Sequence, residues 1–224
     1  MYPQSSYPKK IAAKRAIDFI EDGMIIGVGS GSTVKVFIEL LSASGIRVKC
    51  VPTSLDTELA LVKYGLSVVS FLEVDRIDIA VDGADSILLD KKIILKGGGG
   101  ALTREKIVDY AAEKFVVIVD ETKIGRRYPI VIEFIPFAYS FIARRLREWG
   151  EPVLRMADRR LGPVITDNGN WLIDLHIPPD MISGELEEKI KNIPGIVEVG
   201  IFRRNTKIII GHKSGDIEEI GMNA

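Results

Sequence analysis

Short apolar runs alternate with helix-like segments along the first 128 residues of the chain. The runs are apolar at nearly every position, as strands buried on both faces of a sheet are. They predict strands at residues 24–28, 48–51, 67–71, 77–81 and 115–119. Between them, apolar residues recur at helical spacing, which predicts helices at residues 11–20, 34–41, 54–64 and 103–113. This alternation is typical of an α/β protein with a doubly wound parallel sheet.

The pattern changes after Pro129. The following residues predict the order of a βαββαβ unit. Its strands are predicted at 130–135, 153–157, 171–177 and 196–202, and its helices at 137–149 and 184–193. Asn168-Gly169, between apolar runs at 164–166 and 171–173, predicts a hairpin turn. The change of pattern predicts two lobes, a larger one of residues 1–128 and 207–224 and a smaller α+β lobe of residues 129–206. The apolar pattern of 207–210 alone is compatible with either lobe.

The composition is that of an ordinary globular protein. Of the 224 residues, 46% are hydrophobic and 27% are charged, and the formal net charge is -1. This balance gives no overall attraction to nucleic acid or to an anionic membrane, so we expect neither as a partner. Cys50 cannot form an intrachain disulfide, and one thiol with two histidines is too few for a Cys/His zinc site. No secretory signal is visible in residues 1–20, and we expect a cytoplasmic protein.

A glycine- and serine-rich loop, GVGSGST at residues 27–33, follows the first predicted strand and precedes a predicted helix. Glycines let the backbone approach a ligand closely, and a helix N-terminus presents free amides to an anion. The loop therefore predicts a phosphate cradle. Ser32 stands where a dinucleotide fingerprint needs its third glycine, and no Gly-Lys-Ser/Thr of a P-loop follows. The alternative is a Ser/Thr-capped turn that binds no ligand.

Two aspartates, Asp82 and Asp85, come directly after the predicted strand at 77–81. Ligands of open α/β sheets bind beyond the carboxyl ends of the strands, so both carboxylates are candidates for a site there. The alternative is an ordinary turn, because Asp-Gly is a common turn sequence.

Lys96 precedes four glycines at 97–100, and Glu105 follows in the first turn of the next predicted helix. Four glycines have a high unfolded-state entropy and no side chains to pack, so we expect them to approach a ligand. Lys96 could stabilise an oxyanion as a point charge. Glu105 could face the loop or could stabilise the N-terminus of its own helix. Lys123, just past the strand at 115–119, is a weaker binding candidate whose alternative is a solvated surface charge.

These motifs supply hydroxyl and amide donors, two aspartates, a lysine and a glutamate, a set that suits proton transfer on a small phosphorylated substrate. At these residues the sequence resembles the A-type ribose-5-phosphate isomerases. The matching motifs are GVGSGST at 27–33, VDGAD at 81–85, KGGG at 96–99, ALTREK at 101–106, TDNGN at 166–170 and IPGIV at 193–197. The sequence departs from the family pattern at Ser86, where Glu is common, and at Gly100, where Ala is usual.

The resemblance implies a Rossmann-like lobe and a ferredoxin-like lobe, assembled as a homodimer or homotetramer. It implies conversion of D-ribose 5-phosphate to D-ribulose 5-phosphate in the pentose phosphate pathway, without metal or cofactor. Glu105 would move the proton through an enediolate, and Lys96 would stabilise the oxyanion. Asp82 and Asp85 would bind sugar hydroxyls and assist ring opening. The remaining substrate-binding residues would be Ser30, Gly31, Ser32, Thr33, Gly83, Ala84, Gly97, Gly98, Gly99 and Lys123.

Two other functions stay open at this point. A sugar-phosphate-sensing module on the same scaffold would keep the phosphate loop but could dispense with Lys96 and Glu105, and both are present. A coenzyme A transferase relative would use a glutamate as nucleophile but would need a larger chain or a second subunit. The fold excludes neither, because one fold serves many functions.

Overall fold

The computed structural model describes residues 7–159 and 161–223. Its strands are β1 (Ile25–Val28), β2 (Lys49–Pro52), β3 (Ser67–Val68), β4 (Ile77–Asp82), β5 (Ser86–Leu88), β6 (Ile93–Leu95), β7 (Ala112–Asp120), β8 (Ile130–Phe134), β9 (Glu151–Leu154), β10 (Trp171–His176), β11 (Ile196–Val199), β12 (Ile201–Phe202), β13 (Thr206–Gly211) and β14 (Ile217–Met222). Its helices are α1 (Tyr7–Ile17), α2 (Ser32–Ser44), α3 (Leu55–Lys63), α4 (Leu102–Ala111), α5 (Tyr139–Leu146) and α6 (Gly184–Lys191). Within these described residues, no helix is long and apolar enough to cross a lipid bilayer.

The chain divides into two compact units. Unit 1 comprises Met1–Ala84, Arg104–Ile124 and Arg204–Ala224, and unit 2 comprises Asp85–Thr103 and Gly125–Arg203. This division differs from the predicted lobes mainly at 85–103, which the sequence pattern places in the larger lobe and which belong to unit 2. The reason is strand pairing, because β6 pairs with both β5 and β12 in a three-stranded sheet. Residues 1–6, 160 and 224, which the predicted lobes include, lie outside the described residues.

Unit 1 is built on a seven-stranded sheet in the order β14-β13-β7-β4-β1-β2-β3. β14 runs antiparallel to its neighbour, whereas the other pairs are parallel. The predicted doubly wound parallel sheet is therefore confirmed. β1 lies between β2 and β4, so the direction of winding reverses there. The crevice beyond the carboxyl ends of β1 and β4 is the usual ligand position in such a sheet.

A single hydrophobic core anchors β1 and β4. Ile26 and Val28 of β1 pack with Ile79 of β4 and with Phe37 of α2, and all four side chains are almost fully buried. α2 ends at Gly45, whose φ of 76° lies in the left-handed region that commonly terminates helices. The loops that follow β1 and β4 therefore begin from firmly packed strand ends.

The predicted βαββαβ order is confirmed in unit 2. β8, α5, β9, β10, α6 and β11 follow one another along the chain, and the strands form an antiparallel sheet in the order β11-β8-β10-β9. This is the ferredoxin-like arrangement. Phe134 and Leu175 of the sheet pack with Ile142 of α5 and Leu186 of α6 in the core of the unit.

Several short segments differ from the sequence prediction. β5 and β6 are not predicted, because strands of three residues are too short to show a periodic pattern. Residues 164–166 form no strand; instead the Val164 N–H donates to the Arg155 carbonyl at 2.9 Å. The Asn168-Gly169 turn does form, with the Thr166 N–H donating to the Asn170 carbonyl at 2.9 Å. The run at 207–210 lies in β13, which pairs in parallel with β7 of unit 1.

Candidate active site

The loop after β1 is held by the carboxylate of Asp82, the last residue of β4. The Ser30 N–H donates to Asp82 Oδ1 at 3.0 Å, and the Gly83 N–H donates to the same oxygen at 2.6 Å. The Asp82 side chain is fully buried. One carboxylate therefore fixes both strand-end turns, the loop that begins at Ser30 and the Gly83-Ala84 turn, beside the crevice between β1 and β4.

Glu105 lies in the first turn of α4 and is only 4% exposed. Its Oε1 accepts a hydrogen bond from the Ser30 hydroxyl. The Glu105 side chain thus contacts the loop after β1. A glutamate that only stabilised the N-terminus of α4 would not need this contact. Within unit 1 the structure therefore brings Ser30, Asp82 and Glu105 together. The Glu105 carboxylate lies beside the Ser30 hydroxyl, and the Asp82 carboxylate holds the loop that carries Ser30.

The same loop leads into the N-terminus of α2. Gly31 precedes the helix with a φ of 96°, a conformation that favours glycine, and Thr33 in the first turn is buried. Lys9 of α1 donates from Nζ to Ser32 Oγ at 2.9 Å. Helix amides and an ammonium group therefore place positive charge at this loop. Lys9 is not among the residues predicted from the sequence, because its only local signal is a pair of lysines at 9 and 10, far from Ser32 along the chain.

Lys123 ends a single 3₁₀ turn, Glu121–Lys123, that follows β7. Because β7 is parallel to β4, this turn leaves the sheet at the same edge as the loops after β1 and β4. Asp120 caps the turn by accepting the Thr122 N–H at 3.0 Å. Lys123 is half-buried.

In unit 2, Lys96 directly follows β6 and is 3% exposed. Its N–H donates to the Gly200 carbonyl at 3.0 Å, and its Nζ lies 5.5 Å from the centroid of the Phe202 ring. The face of an aromatic ring attracts a cation, which favours this position for the ammonium group. The φ of Gly97 is 111° and that of Gly100 is 81°, both in the region that favours glycine.

Asp85 binds the glycine loop through its side chain. Its Oδ2 accepts the Gly98 N–H at 2.7 Å, and its own N–H donates to the Leu95 carbonyl at 2.9 Å. A β-carbon on Gly98 would lie 2.5 Å from both Asp85 Oδ1 and the Tyr128 hydroxyl oxygen, so only glycine fits. Burial, and then the negative charge of Asp85, raises the pKa of Tyr128 and keeps its hydroxyl protonated at neutral pH.

The turn at 166–170 is bound to the buried carboxylate of Glu133 on β8. Glu133 Oε1 accepts from Thr166 Oγ1 at 2.8 Å, from Asn168 Nδ2 at 3.1 Å and from Asn170 Nδ2 at 2.8 Å. Its Oε2 accepts from Thr103 Oγ1, in the first turn of α4, at 2.6 Å. Glu133 is not among the residues predicted from the sequence, although it is the one acidic residue in the apolar run at 130–135.

The two departures from the family pattern have local structural explanations. Ser86 is fully buried, and its hydroxyl donates to the Arg126 carbonyl at 2.6 Å. Gly100 has the positive φ given above, which alanine rarely adopts, and a β-carbon there would lie 3.3 Å from Leu172 Cδ1.

The residues expected from the sequence fall into two groups. Unit 1 carries Ser30, Gly31, Ser32, Thr33, Asp82, Gly83, Ala84, Glu105 and Lys123. Unit 2 carries Asp85, Lys96, Gly97, Gly98 and Gly99. In the part of the chain that the structure describes, no group of three or more His, Cys, Asp or Glu side chains is arranged to hold a metal ion.

Known proteins identify the family. The family model of ribose 5-phosphate isomerase A (phosphoriboisomerase A) matches residues 49–215. The chain is 44% identical over 213 residues to the ribose-5-phosphate isomerase A of Methanococcus aeolicus, and the match covers 91% of each chain. The chain belongs to the ribose-5-phosphate isomerase A family.

Solved structures similar to this isomerase A family member share its fold. The ribose 5-phosphate isomerase A of Methanocaldococcus jannaschii is 43% identical with a TM-score of 0.90, covering 95% of this chain and 97% of that one. A D-ribose-5-phosphate isomerase in complex with phospho-erythronic acid is 39% identical with a TM-score of 0.89, at the same coverage. Membership of the isomerase A family favours the isomerase over the sensing module and the coenzyme A transferase.

Proposed function

We propose that this chain interconverts D-ribose 5-phosphate and D-ribulose 5-phosphate, with Glu105 as the base. The observation that carries the proposal is the buried Glu105 carboxylate, which accepts a hydrogen bond from Ser30 on a loop that Asp82 holds. Family membership supports the substrate and the reaction. An aldose–ketose isomerisation moves a proton between adjacent carbons, and a positioned carboxylate is a suitable carrier.

In the proposed mechanism Glu105 takes the proton from C2 of the open-chain aldose. The electron pair left behind forms an enediolate whose negative charge lies on O1. The proton of the C2 hydroxyl moves to O1, and Glu105 returns its own proton to C1, which gives the ketose. The low exposure of Glu105 supports this role, because a water-accessible carboxylate would lose its proton to solvent before returning it.

Lys96 is proposed to stabilise the oxyanion of the enediolate. A buried ammonium group is a strong point charge, and it acts more strongly where water is excluded. Asp82 and Asp85 are proposed to bind sugar hydroxyls and to assist ring opening. The backbone of the Gly83-Ala84 turn and of glycines 97–99 would complete the contacts with the sugar.

The phosphate group is proposed to bind at Ser30–Thr33 and the N-terminus of α2. The Nζ of Lys9 next to Ser32 supports this placement, because it adds a full positive charge to the partial charge of the helix end. Lys123, at the same edge of the sheet, is the second candidate cation for the substrate.

The test is conversion of D-ribose 5-phosphate by the purified protein in the presence of a chelator. We expect the wild type to form ribulose 5-phosphate, and we expect Glu105→Gln to lose about 10²- to 10⁴-fold in kcat. Glu113→Gln, at an exposed position on β7, is the matched control and should keep full activity. Retention of more than a tenth of the activity by Glu105→Gln would remove Glu105 from the role of base. Loss of activity in chelator, with recovery on metal addition, would contradict the metal-free mechanism.

The role of Lys96 is tested by separating turnover from binding. Lys96→Ala should lower kcat more than it raises KM, because the oxyanion exists only after the proton has moved. Lys114→Ala, at an exposed lysine on β7, is the matched control. A loss confined to substrate affinity would reassign Lys96 to binding.

We also propose that the protein is a homodimer or homotetramer in the cytoplasm. An exposed apolar face of α3 supports self-association. It consists of Leu55, which is 53% exposed, Leu59, which is 71% exposed, and Val62, which is 63% exposed. A reducing compartment agrees with the single cysteine. Light scattering on the purified protein measures the assembly, and a monomer at micromolar concentration would contradict it.

A further inference from the structure

Arg155, just after β9, binds the backbone of the glycine loop. Its Nη1 donates to the carbonyl oxygens of Gly97 at 2.8 Å and of Gly98 at 3.3 Å. Its Nε donates to Asp174 Oδ2 at 2.9 Å, and its Nη2 donates to the other oxygen of the same carboxylate. The two side chains are only 16% and 19% exposed. Asp174 on β10 therefore fixes one edge of the guanidinium group while the other edge holds the loop.

These bonds orient two successive peptide groups. In a trans peptide the carbonyl and the N–H point in opposite directions. The Gly97 carbonyl points to Arg155, and the N–H of the same peptide, from Gly98, donates to Asp85 at 2.7 Å. The Gly98 carbonyl also points to Arg155, so the Gly99 N–H points away from it. Both carbonyls face the guanidinium group, and both amides face the other way.

We infer that Arg155, braced by Asp174, is a positioning residue that sets the orientation of the glycine loop and of Lys96 before it for the isomerase reaction. The inference rests on the proposed function. Within the loop, the Gly100 N–H donates to the Gly97 carbonyl at 3.0 Å. Because glycines have little conformational preference of their own, this turn bond does not fix the direction in which the loop faces, and Arg155 supplies that constraint from outside the loop. If the peptide that links Gly98 and Gly99 turned over, its carbonyl would face away from Arg155. With the sugar bound on that side, as the proposed role of Asp85 requires, the carbonyl would repel the oxyanion that Lys96 stabilises.

The geometry requires arginine and not merely a positive charge. A planar guanidinium group can bind a carboxylate with two donors and still direct a third donor elsewhere. An ammonium group at the end of a flexible chain cannot hold both partners in fixed directions. Arg155→Lys therefore keeps the charge next to Asp174 and loses the orientation of the loop.

The test compares Arg155→Ala, Arg155→Lys and Asp174→Asn with the wild type. Arg47→Ala is the matched control, because Arg47 makes a similar pair with Asp22, through Nε at 3.0 Å and Nη2 at 2.6 Å, but is 87% exposed. For each variant we would measure kcat, KM and the effect of added guanidinium chloride at concentrations below those that unfold the protein. The exchange rates of the Gly98 and Gly99 amides would be measured without substrate.

We expect Arg155→Ala to lose about 10- to 100-fold in kcat with KM changed less than about threefold. Added guanidinium should restore part of kcat in Arg155→Ala alone, which a merely destabilised variant would not show. Arg155→Lys should be impaired nearly as much, and Asp174→Asn less. Wild-type kcat in Arg155→Ala or in Arg155→Lys would overturn the inference. If one variant fails to fold, the other two decide by the same criteria.

Amide exchange separates failure of this inference from failure of the proposed function. If the wild type does not convert D-ribose 5-phosphate, the proposed function fails. In that case, faster exchange of Gly98 and Gly99 in Arg155→Ala still supports the anchoring of the loop. Exchange as slow as in the wild type would overturn the anchoring, whether or not the protein is an isomerase.

Discussion

The backbone of Gly29 lies directly against the carboxylate of Asp82. A β-carbon added to Gly29 would lie 1.9 Å from the carboxylate carbon and 1.9 Å from Oδ1, the oxygen that accepts the Ser30 and Gly83 amides. A shift of the carboxylate large enough to admit a methyl group would break those two hydrogen bonds. The fit between Gly29 and Asp82 is therefore a condition for the arrangement of the loop after β1.

Gly29→Ala should lower kcat/KM by about 100-fold or more, because it displaces Asp82 and, with it, Ser30 next to Glu105. Overpacking of this kind also lowers the free energy of unfolding by about 1–3 kcal/mol. Steady-state kinetics and urea denaturation measure the two effects. Gly221→Ala on β14, where a β-carbon meets nothing within 4 Å, is the control. Unchanged kinetics in Gly29→Ala would show that Asp82 does not depend on this contact.

Glu133→Ala should lower the free energy of unfolding by roughly 3 kcal/mol, because it leaves the buried hydroxyl donors of Thr103 and Thr166 without their acceptor. Glu133→Gln should lose less, since its amide oxygen can still accept the three donors of the 166–170 turn. Chemical denaturation gives both values, with the exposed Glu151→Ala on β9 as control. Equal stability of Glu133→Ala and the control would contradict the structural role.

His212 should make the protein more stable at mildly acidic pH. Its Nδ1 lies 2.9 Å from Glu121 Oε2 and its Nε2 lies 3.1 Å from Glu218 Oε2. The hydrogen bond with Glu121, above all, raises the pKa of His212 above its ordinary value of 6.5. The contribution to stability is thus complete below pH 6.5 and is lost as the pH rises through the higher folded-state pKa.

The measurement is the urea midpoint from mildly acidic to mildly alkaline pH, for the wild type and His212→Gln. The difference between them should shrink as the pH rises. His176→Gln, at the exposed end of β10, is the control and should follow the wild type. A difference that is constant across the range would mean that protonation of His212 does not stabilise the folded state.

Cys50 should be unreactive in the folded protein. It is fully buried in β2, and burial raises the pKa of its thiol to about 12, so that the reactive thiolate is absent at neutral pH. A disulfide-exchange reagent should modify it only in denaturant, at a rate set by unfolding. Complete modification within minutes under native conditions would show that β2 opens readily.

The sequence predicts best what depends on neighbouring residues. The run 77–81 identifies β4, because an uninterrupted apolar segment of that length suits a strand buried on both faces. The glycine- and serine-rich loop at 27–33 is predicted to precede a helix, and α2 begins at Ser32, two residues before the predicted start. Family motifs then point to Glu105 and Lys96, since these lie in distinctive local strings.

The contacts that hold the site lie beyond such local signals. Arg155 binds Gly97, which lies 58 residues away in the sequence, and Glu133 binds Thr166, which lies 33 residues away. Nothing in the residues around Arg155 or Glu133 specifies those partners, because strand pairing in the folded chain creates the proximity. The pairing of β6 with β12 is also long-range. It explains why residues 85–103 belong to unit 2, whereas their local pattern predicts the larger lobe.

The chain passes from one unit to the other four times, after Ala84, Thr103, Ile124 and Arg203. Neither unit can therefore be excised as one continuous fragment. A fragment of residues 129–206 would carry β12 without β6, and a fragment ending at residue 128 would carry β6 without β12 and lack β13 beside β7. Genetic dissection of this protein into autonomous halves should yield insoluble pieces, and useful truncations are confined to the termini.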